Sequence, residues 1–475
     1  SLICASIESV RMASARTQIL NGMDIGLYSL FGQYDKELLT DYDLFALDGS
    51  GGGGQLDLAA VCDELEAYMN PVLKQNSQKL TLCQSGLTGY RLLTDQNGEA
   101  FYQQIVGYMQ ETLGSQGIQL LLGRMSERQE KTAQADQSAN QAQSKGSIDR
   151  YDSEMNQASE KSQQAAEEAQ VVPQAPPAKN PITIMKRIMK RGVLELVLPG
   201  GNGLSTKAIE KGTLVSGRGL QQGLEMPDGM TTENGYTSEV LFQQYLMEHL
   251  GSYAEPSSAG LAYQMEYIFG GKDSDEDNLK AVASKLLFIR EGVNFACLMA
   301  DNVKRSEAQA LATAIASGFL VPPAAVIIEA ALILCWAFAE SVLDVRALLS
   351  GDKIAIIKNS AQWTSDLLHL GSVFSSFGTA TNCQNGLSYQ RYLGFLLMMQ
   401  AQKVSYRAMN IQEHVIRSKE GFENFCMDHL VIDAEIAMNY SSHTIFTGME
   451  QLTRNKKRAF TIPVQQSFSY RKAGV

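Results

Sequence analysis

The chain has 475 residues, a formal net charge of -11 at pH 7 and 19% charged residues, and this length allows two or three hydrophobic cores. The negative charge excludes a protein that depends on many phosphate contacts with nucleic acid, because such contacts require concentrated Lys and Arg. Seven scattered cysteines are too few for a disulfide framework. The sequence nevertheless leaves two disulfides undecided, Cys62–Cys83 and Cys383–Cys426.

Residues 1–31 are predicted to form one helix that starts in an apolar segment at residues 2–7. A globular domain seldom exposes such a segment, so we interpret it as the outer end of a truncated membrane anchor. A full membrane span needs about 20 apolar residues. The alternative is an ordinary first helix that packs on its own domain.

Residues 32–125 are predicted to be an α+β segment, because turn-forming residues separate short apolar runs. Pro71 is expected to break the helix that contains it, and residues 95–98 are expected to form a tight turn. The other predicted elements are a strand at 42–47, a glycine loop at 49–54, a helix at 56–73, strands at 79–83 and 90–94, and a helix at 101–113.

Residues 126–180 differ sharply in composition, since Gln, Ala, Ser, Glu and Lys dominate and Tyr151 is the sole aromatic residue. Such a segment buries too little apolar surface to offset its ordering entropy. It ends in a proline-rich stretch at 173–177, which extends the chain. We therefore predict a polar linker or an exposed helical arm.

Residues 181–475 are predicted to form an α+β domain around a central apolar helix at 324–349. That run is short for a membrane span and contains Glu329, which favours a buried core helix. Two C-terminal runs, at 430–440 and 460–470, alternate apolar and polar residues, which predicts antiparallel strands with one buried face. The remaining predicted elements are a strand at 193–198 and helices at 238–250, from Ser274, from Ser306 and at 387–416.

Basic residues cluster at 186–191 and at 454–458. The first cluster lies on a short amphipathic stretch that suits an anionic membrane surface. The second is interpreted as a solvated turn between strands.

No motif predicts a catalytic, cofactor-binding or metal-binding residue. Cys426 and His429 have C-x-x-H spacing without a second pair at zinc-site distance, and His429 is expected on the solvent side of a strand. Residues 273–284 resemble a calcium-binding loop, but Ser284 stands where a bidentate Glu is required, so a helix start is the simpler interpretation. A hydrolase would need a pocket that joins Ser350, His369 and a carboxylate. We predict no enzyme activity, no cofactor and no small-molecule substrate.

Several stretches resemble one known family. They are residues 7–11 (IESVR), 34–39 (YDKELL), 42–45 (YDLF), 266–272 (EYIFGGK), 289–294 (IREGVN), 336–341 (WAFAES), 344–346 (DVR) and 389–393 (YQRYL). Together they resemble an uncharacterised Gram-positive (Firmicute or clostridial) family of envelope proteins found beside tight-adherence (Tad-type) pilus genes, similar to TadE/TadG-like pseudopilins at the N terminus. The resemblance spans nearly the whole chain except residues 126–180. One departure is that Glu8 follows the apolar residues, whereas a type IV pilin carries a glutamate near the start of its apolar helix.

The resemblance implies one N-terminal membrane helix followed by a large extracytoplasmic α+β region. We therefore predict a non-enzymatic structural or accessory component of a Tad-type pilus or secretion apparatus. It would cross the bacterial cell membrane once and contact other pilus or envelope proteins outside the cell. The alternative is a membrane-tethered adhesin or ligand-binding module of the cell envelope.

Overall fold

The computed structural model describes residues 2–74, 79–142, 153, 157, 181–198, 200–201, 203–224, 235–318, 324–374, 378–398, 400–443 and 459–470. It shows an α+β protein, as predicted. The helices are α1 Leu2–Phe31, α2 Lys36–Tyr42, α3 Leu58–Lys74, α4 Asp95–Ala142, α5 Pro181–Met189, α6 Val193–Val197, α7 Tyr236–His249, α8 Gln264–Gly270, α9 Asp275–Ala300, α10 Asn302–Gly318, α11 Ala325–Leu349, α12 Tyr389–Met398 and α13 Ala401–Arg417. The strands are β1 Leu47–Asp48, β2 Leu80–Leu92, β3 Leu430–His443 and β4 Ala459–Ser469.

The chain divides into two compact units. The first comprises Ser1–Ile118, Ile209–His249 and Ala401–Val475, and the second comprises Gln119–Ala208 and Leu250–Gln400. The boundaries predicted at residues 31, 125 and 180 stay predictions. Residues 126–142 of the predicted polar linker belong to α4, and its proline-rich end lies outside the described residues.

Helix α1 packs in the core of the first unit. Its buried side chains recur every three or four residues, which confirms the predicted helix; they are Ala15, Ile19, Met23, Leu27 and Leu30. Gly26 allows α3 to approach closely, since a Cβ there would lie 2.8 Å from the Cγ of Met69. The second half of α1 is therefore packed as in an ordinary first helix.

The sheet of the first unit is built around β3. Strand β2 pairs antiparallel with one edge of β3, whereas β4 and the short β1 pair antiparallel with the other edge. Ile436, Met438 and Tyr440 are buried on the alternating face, so the two predicted C-terminal strands are confirmed. The strands predicted at 79–83 and 90–94 are parts of one strand, because register shifts such as those between Leu82/Gln84 and Leu87/Gly89 carry β2 along β3.

Helix α11 is the central helix of the second unit, and α9 and α10 pack against it. Nearly every side chain from Ile328 to Leu349 is buried, which confirms the predicted core helix. Among the described residues, α11 alone is long and apolar enough to cross a membrane. Of the most apolar 18-residue stretch of this helix, 78% is buried inside the protein.

Three predicted elements are wrong for a local reason. Residues 193–198 form helix α6 and not a strand, because so short an apolar run fits both the helical and the strand period. The strand predicted at 42–47 is reduced to β1, since Tyr42 closes α2. Residues 387–416 form two helices, α12 and α13.

Two predicted helix boundaries also change. Pro71 lies in the last turn of α3 and does not break it. Helix α10 begins before Ser306, because the Asp301 carboxylate accepts the N–H groups of Val303 and Lys304 at 3.0 and 3.2 Å. The cap predicted at Ser274 is confirmed by the N–H of Asp277, 3.1 Å from its hydroxyl oxygen.

Candidate functional site

Helix α1 carries an uncharged stripe on the side that faces away from the core. Because an α-helix turns about 100° per residue, positions 3, 7, 10, 14, 17, 21, 25 and 28 lie within about 40° of one direction. All of these side chains are exposed, and we call them the outward stripe: Ile3, Ile7, Val10, Ser14, Thr17, Asn21, Ile25 and Tyr28.

The first turns of α1 invert the polarity that a surface helix normally shows. Ile3 and Val10 are 74% and 70% exposed, whereas the side chains of Glu8 and Arg11 are each only 14% exposed and form an ion pair at 2.7 Å. Arg11 also donates to the backbone carbonyl of His443 at the end of β3. A helix that turns its charges inward and exposes isoleucine and valine is suited to an apolar partner.

A left-handed turn forms one wall of a cavity in the first unit. Gln96 and Asn97 have φ angles of 52° and 61°, each of which costs roughly 1–3 kcal/mol. The cavity has a volume of about 600 Å³, and the buried hydroxyl of Thr94, which lines it, has no hydrogen-bond partner among the described residues. The lining combines amide and phenol groups with two charged side chains and suits a polar ligand; these groups come from Gln96, Asn97, Gln221, Gln222, Tyr90, Tyr406, Arg91 and Asp95.

A buried ionic network joins helices of the second unit. Arg290 of α9 lies 2.9 Å from Asp344 of α11, and it donates to the carbonyls of Ala355 and Ile356 at 3.0 and 2.8 Å and to the hydroxyl of Tyr392 at 3.1 Å. Burial disfavours the charge of Arg290, but Asp344 and Tyr392 raise its pKa above the usual value. Arg290 therefore stays charged although it is 1% exposed.

Lys358 completes the charge balance of this network. Its ammonium contacts Glu340 and lies 2.5 Å from Asp344, while Glu340 accepts the N–H groups of Thr364 and Ser365 at 3.1 and 2.7 Å. Two buried cations thus meet two buried carboxylates, and each group depends on the others. We call Arg290, Glu340, Asp344 and Lys358 the ionic network. Sequence analysis missed it, although Glu340 and Asp344, one turn apart on the most apolar helix, were a usable signal.

His429 is buried, contrary to the prediction that it faces solvent. It ends the short 3-10 turn Met427–His429, directly before β3, and is 7% exposed. The prediction failed because both faces of the first half of β3 are buried, including Val431 and Asp433, so alternation does not mark a solvent side there.

One protein-family model matches residues 173–442, which is more than half of the chain. The chain belongs to DUF5702, a family of unknown function. The matched range contains the ionic network and His429, whereas α1 and its outward stripe lie before it. No curated protein and no solved structure matches the chain.

In this DUF5702 chain the candidate hydrolase residues lie in different surroundings. Ser350 lines a cavity of about 480 Å³ together with Arg346 and Tyr253. The side chain of His369 is 74% exposed and lies 3.4 Å from Asp366. No histidine is among the described residues that line the Ser350 cavity.

The acidic stretch at 273–278 is a helix start, as interpreted from the sequence. Ser274 caps α9, and the carboxylate of Asp275 accepts the N–H groups of Ala262 and Tyr263 at 2.9 and 3.1 Å. The basic cluster at 186–191 lies on α5 and just after it, with Ile182 and Met185 of α5 buried. The cluster at 454–458 lies outside the described residues. All seven cysteines are free, so neither candidate disulfide is formed.

Glu266 gives the second unit of the DUF5702 chain a specific pH dependence. It is fully buried and accepts hydrogen bonds from the Tyr389 hydroxyl and the Tyr253 N–H at 2.6 and 2.8 Å. Burial raises the pKa of Glu266 from 4.5 to about 7. Because the folded state then holds this proton more tightly than the unfolded state, its contribution to the free energy of unfolding should fall as pH rises from 4.5 to about 7.

The variant Glu266→Gln imitates the protonated carboxyl and should remove that fall. The measurement is urea unfolding from about pH 5 to about pH 8, followed by tryptophan fluorescence. Both tryptophans of the chain, Trp336 and Trp363, belong to the second unit, so the signal reports that unit alone. An identical pH dependence in Glu266→Gln and the parent chain would contradict the prediction.

Proposed function

We propose that this chain is a non-enzymatic structural or accessory component of a Tad-type pilus or secretion apparatus on the bacterial cell surface. The apolar start of helix α1 belongs to a single-pass membrane anchor, and the bulk of the chain lies outside the cell. There it contacts other pilus or envelope proteins. The outward stripe of α1 is the observation that carries this proposal.

The energy available from covering the outward stripe supports an apolar partner. Its large apolar side chains are Ile3, Ile7, Val10, Ile25 and Tyr28, between 48% and 74% exposed. Since full burial of such a side chain contributes about 1.5–3 kcal/mol, covering the exposed part should contribute about 1 kcal/mol or more for each. The spacing of the stripe, alternately three and four residues for most of its length, is that of helices which pack side by side.

The way α1 is held also supports the proposal. Its second half is fixed between α3 and the sheet, while Ile3, Ile7 and Val10 near its start are exposed. This layout suits a stem that presents one end of a helix to lipid or to neighbouring helices. It agrees with the pseudopilin-like start that residues 7–11 suggest.

The cavity beside the left-handed turn favours the alternative function, a ligand-binding module or adhesin of the cell envelope. Strained backbone beside a polar cavity is a common feature of binding sites. In this alternative α1 is only a tether, and the cavity binds a polar ligand on a cell wall or host surface.

Deletion of the gene in a piliated host separates the two functions. We expect the deletant to lose its pili and to regain them when the gene is supplied in trans. In parent cells we expect the protein to remain in the membrane fraction after alkaline washing. Normal piliation in the deletant would contradict the proposal. Piliated cells that fail to attach to surfaces would instead favour the adhesin.

A further inference from the structure

Three groups that ligate metals converge at the start of β3. Cys426, Asp428 and His429 each offer one ligand atom, and these atoms lie within 4.8 Å of one another. Asp428 is 3% and His429 7% exposed, and Cys426 is half-buried. All three come from one tetrapeptide, so the 3-10 turn that precedes β3 is enough to bring them together.

One ring nitrogen of His429 lacks a partner. The Nδ1 atom of His429 is buried and has no hydrogen-bond partner among the described residues. A buried polar atom left in this state costs about 1–3 kcal/mol. A bound water or ion is one of the partners that satisfy such an atom in native proteins.

Neighbouring groups orient the other two ligands. Arg417 donates to the Cys426 sulfur at 3.0 Å, and Arg218 donates to an oxygen of Asp428 at 2.5 Å. Hydrogen bonds of this kind commonly fix the groups that coordinate a metal. Asp428 also accepts the N–H of Gln221 at 3.0 Å.

The charges of the groups around the cluster balance. Glu413 pairs with Arg218 and with Arg417, at 2.9 and 2.7 Å. Together with Asp428, the two arginines and Glu413 have no net charge.

We propose that Cys426, Asp428 and His429 bind one zinc ion, with water as the fourth ligand. Thiolate, imidazole and carboxylate are the ligand types that zinc takes in proteins. On binding, the S–H bond of Cys426 breaks, its proton passes to solvent and a sulfur–zinc bond forms, which leaves the local cluster with one positive charge. Zinc tetrahedra have edges of about 3.3–3.8 Å, so ligand atoms within 4.8 Å of one another need to approach by at most about 1.5 Å. The metal then fixes the turn from which β3 starts.

The test measures zinc and cobalt binding by the full, untagged chain in the presence of a thiol reductant. We expect one equivalent of zinc bound with a Kd of about 1 µM or tighter, and a thiolate-to-metal absorption band with cobalt(II). Cys426→Ser and His429→Gln should each weaken zinc binding by about 100-fold or more. The matched controls Cys83→Ser and His414→Gln, in the same unit, should bind zinc like the parent.

Two results would overturn the proposed zinc site. One is a parent chain that binds no zinc at about 10 µM or shows no thiolate band with cobalt. The other is parental zinc affinity in both Cys426→Ser and His429→Gln. Circular dichroism of each variant establishes that it is folded, and the cobalt band of the parent tests the site even if a variant unfolds. The proposal does not depend on a role in a pilus.

Discussion

Replacement of Asp344 by Ala should lower the free energy of unfolding of the second unit by about 3–5 kcal/mol. Asp344 contacts both cations of the ionic network, Arg290 at 2.9 Å and Lys358 at 2.5 Å. Its removal leaves the two buried positive charges with a single carboxylate, Glu340, to balance them. An uncompensated buried charge costs far more than the ion pair contributed, because water cannot solvate it.

The matched control is Glu329→Gln on the same helix. Glu329 pairs with Arg305 at 3.3 Å, but the side chain of Arg305 is 51% exposed, so the loss should be less than about 1 kcal/mol. Urea unfolding followed by the fluorescence of Trp336 and Trp363 measures both variants. Equal losses for Asp344→Ala and Glu329→Gln would show that the ionic network does not hold the second unit together.

Substitution of Val10 by Glu should abolish assembly without unfolding the protein. Val10 is 70% exposed and belongs to the outward stripe, so the free energy of unfolding should change by less than about 0.5 kcal/mol. Against lipid or an apolar helix, the carboxylate costs about 2.5–3.5 kcal/mol, which corresponds to roughly a hundredfold loss of bound protein. Electron microscopy of cells that carry the variant in place of the parent gene should show few or no pili.

Ala13→Glu is the control for that variant. Ala13 is exposed on the same helix but outside the outward stripe, so the same carboxylate there should leave piliation unchanged. Loss of pili in both variants would mean that the whole helix surface, and not the stripe, is sensitive to charge. Normal pili in both variants would show that the stripe is not part of the assembly interface.

The sequence predicted elements whose pattern is long or whose cap is local. Helix α11 followed from an unbroken apolar run, β3 from its alternation, and the start of α9 from Ser274 and Asp277. Helix α6 did not follow, because five residues cannot distinguish the two periods and burial of Leu196 and Val197 in the second unit decides the outcome.

The candidate sites depend on contacts between residues that are distant in sequence. Glu340 and Asp344 are a local signal for buried charge in an apolar helix. Their partners Arg290 and Lys358 lie outside that helix and meet them only after the second unit has folded. His429 was misplaced because its burial depends on what covers both faces of β3. The outward stripe is different: the spacing of Ile3, Ile7 and Val10 is visible in the sequence, but only the structure shows that Glu8 and Arg11 face inward.

Photocrosslinking along α1 in intact cells tests the outward stripe most directly. A photoreactive amino acid is placed at Val10, Thr17 or Ile25 on the stripe, and at Ala13 or Arg16 as exposed positions outside it. We expect adducts with other envelope proteins at the stripe positions and few or none at the control positions. Equal yields at both sets of positions, or no adducts at any, would contradict it.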